Sequence, residues 1–107
     1  MKHPSRNWKA MELSDFVGRE YNLTITGDVE TFESNQVPKL APAHPQGIVK
    51  EELILDLTVE TTGGIPSHIA RFVTVEYHHE ISAQEYRTVR IRGDIEDAVI
   101  SIDRVLS

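Results

Sequence analysis

Glu76-Tyr77-His78-His79-Glu80 is the densest run of chemically capable side chains in this 107-residue chain. On a strand, successive side chains point to opposite faces, so Glu76, His78 and Glu80 project together while Tyr77 and His79 project the other way. Carboxylates flanking an imidazole on one face form a possible ligand set for zinc, iron or manganese. An imidazole also moves protons near neutral pH. His44 and His68, both in loop-like sequence, could complete such a site. The spacing matches no H-E-x-x-H signature. A simpler reading is a charge ladder: in a hairpin whose loop is 82–86, His78 stands opposite Arg90 and Glu76 opposite Arg92, pairs of ordinary surface type. His79, on the aliphatic face, is expected as a core-edge histidine with a hydrogen-bond partner.

A second candidate lies in the proline-rich stretch 34–47, which has no periodicity and carries Pro38, Pro42 and Pro45. Prolines at this density exclude a helix and a central strand and favour extended chain. Pro42-Ala43-His44-Pro45 has the PxxP spacing, so Pro38, Pro42, His44 and Pro45 are the candidate binding residues. The plainer alternative is a stiff crossover loop joining strands at opposite edges of a sheet.

These residues must be positioned by strands. Ile48 to Thr62 organises the chain: Leu53, Leu55, Leu57 and Val59 alternate with Ile54, Asp56, Thr58 and Glu60, the period of a half-buried antiparallel strand, and Gly63-Gly64 ends it. Tyr21, Leu23 and Ile25 alternate likewise within 20–32, with Gly27-Asp28 as a turn or bulge. The runs 71–81 and 86–93 alternate in the same way and are expected to pair as a hairpin. Residues 1–7 read as a flexible polar terminus. Residues 8–17 read as a short helix or irregular turn with Trp8 and Phe16 as packing residues, and Gly18 stops it. Residues 94–106 fit two patterns. As a helix, Ile95, Ala98, Val99, Ile102, Val105 and Leu106 share a face behind an Asp94 cap. As a strand, Ala98, Ile100 and Ile102 alternate, but Arg104 breaks the apolar face.

The expected fold is therefore mainly β. It is a single domain over 1–107, an antiparallel β-sandwich or open barrel of five to six strands, with a short N-terminal helix and a C-terminal helix, or α+β as the alternative.

Composition narrows the function. The chain has no cysteine, which removes disulfides, thiol catalysis and cysteine zinc sites and fits a reducing compartment. The net charge of -6 and 7% aromatic content argue against nucleic acid and anionic membrane as partners. No window approaches a membrane helix and the N-terminus lacks the apolar run of a signal peptide, so a cytoplasmic location is expected. No serine elbow or phosphate loop is present, and Arg92-Gly93-Asp94 reads as a turn rather than an adhesion tripeptide. These observations point to a non-enzymatic binding or interaction module without a cofactor, acting on a protein partner or on itself through an edge strand or the proline-rich loop. The alternative is a small metal-dependent or acid–base enzyme built on Glu76, His78 and Glu80.

Overall fold

The computed structural model describes residues 2–14, 21–44, 46–47, 50–81 and 86–106. Seven strands form one sheet: β1 Ser5–Ser14, β2 Tyr21–Thr31, β3 Gln36–Pro42, β4 Glu52–Thr61, β5 Arg71–Ile81, β6 Thr88–Gly93 and β7 Ala98–Leu106. Their order is β3-β4-β6-β7-β1-β2-β5, and the sheet curls into a nearly closed barrel. No helix occurs among the described residues. The mainly β expectation holds; the strand count and the helices do not. The sheet is also mixed, because β1 pairs parallel with β7 and β4 parallel with β6.

Alternation fixes which side chains fill the barrel. Leu23, Ile25, Val29 and Thr31 of β2 are buried, with half-buried residues between them. Leu53, Leu55 and Leu57 of β4 meet Val89 and Ile91 of β6 in register and join Ala10, Val75, Ile95 and Ile102 in one core. Ile54 is buried on the other face of β4, where the Gln46 side chain bonds both its N–H and its carbonyl (2.9 Å each).

Where helix was expected over 8–17, β1 runs to Ser14, and 15–20 lie outside the described residues. The near-helical spacing of its large residues arises because Met11 is exposed on the outer face while Glu12 takes an inward position, and a bulge interrupts the strand before them. Arg6 pairs with Asp28 and Lys9 with Thr26, so Asn7 and Trp8 together oppose Gly27. Asn7 takes a left-handed φ of 59°, a conformation asparagine tolerates better than most residues. A side chain at Gly27 would overlap the Trp8 indole, so the ring lies flat over bare backbone. Residues 2–4 are tied down as well. The His3 N–H donates to Asp94 O (2.6 Å), its ring stacks on Phe32, and Glu30 N donates to Pro4 O (2.8 Å).

The C-terminal ambiguity resolves to strand. Residues 98–106 form β7, between β6 and β1, and the β-branched run Val99-Ile100-Ser101-Ile102 suits that place. Asp94 is a turn residue; its carboxylate accepts from Val59 N (2.8 Å), which occupies the third residue of the adhesion-like tripeptide. The adjacent Gly93 has φ 110°, and a Cβ there would strike the Leu57 carbonyl.

The 71–81 and 86–93 runs do not form a hairpin. β5 pairs with β2, and β6 pairs with β4 and β7. The expected cross-strand charge pairs are accordingly replaced: Arg90 Nε reaches Glu52 (3.0 Å) and Arg92 Nε reaches Asp56 (2.8 Å), both across the parallel β4–β6 pair.

Candidate functional site

Glu76 and His78 lie on the outer face of β5 as expected, where Glu76 Oε1 and His78 Nε2 are hydrogen-bonded and both side chains are exposed. Thr24 Oγ1 lies 3.1 Å from His78 Nδ1. The side chain of Glu80 lies outside the described residues. His68 sits beside Glu33 (3.5 Å) in the segment before β5, and exposed His44 follows β3. Among the described residues, no three His, Asp or Glu side chains converge as a metal site.

The proline-rich segment is a strand in place of the expected crossover loop over 34–47. Gln36–Pro42 pairs antiparallel with β4; Pro38 is buried opposite Val59, and half-buried Pro42 stands opposite Leu55. Pro45 lies outside the described residues. Prolines are compatible with β3 because it is an edge strand and because of their phase on it. Ala43 N donates to Ile54 O (3.0 Å) and Thr62 N to Asn35 O (2.7 Å). Backbone groups alternate sides along an antiparallel strand. Residues 37, 39, 41 and 43 therefore face β4, while Pro38, Leu40 and Pro42 face the open edge. Neither proline removes a ladder bond, and of these three outward positions only Leu40 retains an N–H.

The other edge, β5, has the opposite character. Glu30 N donates to Pro4 O, so even-numbered backbone groups of β2 face β1 and odd-numbered ones face β5. Their partners are the odd residues of β5, in the pairs Leu23–His79, Ile25–Tyr77 and Gly27–Val75. The N–H and carbonyl groups of Phe72, Thr74, Glu76, His78 and Glu80 therefore point outward, and all five residues carry an N–H. The two edges are held together near one end: Ser34 N donates to Ser67 O (2.9 Å) and Ser67 N to Ser34 Oγ (2.9 Å). β3 and β5 touch but share no ladder. Two missing donors on β3 explain why the barrel stops short of closing.

Inside the barrel, toward the Ile81 end of β5, lies a polar cluster. Glu12 of β1 points inward with 1% of its surface exposed. Its Oε2 accepts from Arg104 Nε of β7 (2.8 Å), and its Oε1 is buried with no partner among the described residues. Arg104 Nη2 donates to Tyr86 O (2.6 Å). Glu12 pairs with Leu23, and Leu23 with His79, so Glu12 and His79 are inward residues two strands apart. The His79 ring stacks on Tyr77 (5.9 Å between centroids) and meets the edge of Tyr86 (6.0 Å). Burial, reinforced by Tyr86, raises the Tyr77 pKa and keeps the phenol protonated. Its hydroxyl is hydrogen-bonded to His79 Nδ1 (3.0 Å).

His79 has the hydrogen-bonded, core-edge environment expected from its face. Glu12, Tyr77, Tyr86 and Arg104 are site residues that the sequence reading passed over. A period-two reading of Trp8, Ala10 and Glu12 carries the signal, as does Arg104 interrupting the apolar face of its strand. Comparison with protein-family models, curated proteins and solved structures finds no match for the chain.

Proposed function

We propose that this chain is a protein-interaction module that binds an extended peptide as an added strand on the free edge of β5. One observation carries the reading: of the two edges, prolines disarm β3, and β5 keeps an outward N–H at every second residue. Native sheets blunt edges that must not pair. Addition to an unblunted edge draws affinity from main-chain bonds and specificity from alternate side chains. The turn tied to Ser67 and Arg71 occupies one end of the seam, so the peptide lies along the other half, on the backbone groups of Glu76, His78 and Glu80. An added strand makes eight, the number at which a small barrel is just filled by its side chains.

Amide exchange and peptide titration of the labelled protein test this. In the free protein the Glu76 and His78 amides exchange faster than those of Tyr77 and His79. A library of acetylated, amidated heptapeptides, alternating threonine with a varied residue, yields binders that slow exchange at Glu76 and His78. Glu76→Pro, which removes an outward donor but no native ladder bond, abolishes that binding. The reading fails if Glu76 and Tyr77 amides are equally protected in the free protein, or if binders leave both outward amides unprotected.

A further inference from the structure

We infer that the barrel interior beside β5 is a lysine receptor, with the ammonium of one inward-pointing side chain of the added strand held against Glu12 Oε1. The inference rests on the strand-addition reading and goes beyond it by fixing the chemistry of the side chain that enters.

Glu12 sets the requirement. It is a carboxylate with 1% exposure, and one of its oxygens has no partner among the described residues. A buried acceptor left unpaired is costly, so the incoming group must be a donor. The type of donor follows from Arg104, whose Nε already holds Oε2. A single oxygen remains, and an arginine fork needs two, so a compact ammonium suits this site better than a guanidinium.

The approach to that oxygen suits a lysine stem. Tyr77 and His79 share the inward face of β5, and Tyr86 closes against His79. An inward side chain on a strand added at β5 enters the same interior layer. Its methylenes lie along the three rings, and its cationic end meets ring faces that attract positive charge. Tyr77 Oη is hydrogen-bonded to His79 Nδ1 and not to Glu12 Oε1. The net charge of -6 and the exposed Glu76 on the outward face favour a basic peptide over an acidic one.

The test uses the full chain and the peptide Ac-Ser-Val-Thr-Lys-Thr-Val-Ser-amide, with norleucine and glutamine versions as controls. Calorimetry measures affinity, and amide exchange at Glu76 and His78 reports strand addition. The lysine peptide is expected to bind about tenfold or more tightly than the norleucine peptide, the size of one charged hydrogen bond. In Glu12→Gln that preference collapses, with norleucine binding unchanged. Equal affinity for the lysine and norleucine peptides, with both protecting Glu76 and His78, overturns the lysine receptor and leaves strand addition standing. A lysine preference that survives in Glu12→Gln overturns the assignment to Glu12. Failure of all three peptides to bind overturns both readings. Because the side chain is also varied on the peptide, the test survives a Glu12 variant that does not fold.

Discussion

Glu12 and Arg104 stand 92 positions apart in the chain and meet as neighbours on a parallel strand pair. The pair is asymmetric: the carboxylate is fully buried and the guanidinium is 38% exposed. Removing the exposed member leaves a buried charge without compensation, whereas the reverse change leaves a cation that water can reach. Arg104→Met is therefore expected to destabilise the fold by about 2–3 kcal/mol, a figure reduced from that of a fully buried pair for Arg104's exposure. Glu12→Gln should destabilise it by less. Urea unfolding of both variants checks the order, and an equal loss would mean that Glu12 is not held as a buried anion. Asp28 shows the same logic on the outer face. Hydrogen bonds from Asn7 (2.9 Å) and Thr74 (2.9 Å), with the Arg6 charge behind them, hold its carboxyl below the usual carboxylate range. At this scale the sequence pointed to one cluster and passed over another. Glu76 and His78 were visible because they adjoin in sequence; Glu12, His79 and Arg104 are brought together by register, which no local pattern encodes.

Strand periodicity was the most legible feature of the elements. The alternation in 20–32, 48–62 and 71–81 foretold β2, β4 and β5 because each places consecutive aliphatic residues on its inward face: Leu23 and Ile25, Leu53, Leu55 and Leu57, and Val73 and Val75. β1 was obscured by its bulge and by Glu12 on its inward face. β7 was obscured by Arg104. β3 was hidden by its prolines, which exclude a central strand and are allowed at an edge when their nitrogens face outward. Pairing was only partly legible: β6 pairs with β7, the strand that follows it, but its other neighbour is β4 rather than β5, the strand that precedes it. The β6–β7 turn depends on Gly93, whose positive φ and contact with the Leu57 carbonyl leave no room for a methyl group. Gly93→Ala is expected to destabilise the fold by about 2–4 kcal/mol, combining backbone strain with a steric shift. Thermal melting measures it, and a loss under about 1 kcal/mol would show that the turn can reorganise.

At the scale of the molecule, β7 is the middle strand of the sheet, although it is the last to be made. It joins the β3-β4-β6 group to the β1-β2-β5 group, and neither group pairs with the other except through it. Deleting 98–107 is expected to abolish cooperative unfolding and amide dispersion for the whole chain. Retention of dispersed β1–β2–β5 signals would instead identify that group as an independent unit. Three of the six strand pairings, β1–β7, β2–β5 and β4–β6, join distant parts of the chain, so folding belongs to the slower, millisecond-to-second regime of β topologies.

The parallel pairing of β1 and β7 also decides how the molecule responds to force. Because β1 and β7 run parallel side by side, the start of β1 and the end of β7 lie toward opposite ends of a shared axis. Tension applied between the start of β1 and the end of β7 then slides β1 along β7, and the hydrogen bonds from Ala10 to Ser14 bear the load together instead of opening one after another. A pull between the start of β1 and the end of β7 would meet a clamp that yields abruptly. One pulling β5 away sideways would meet a zipper.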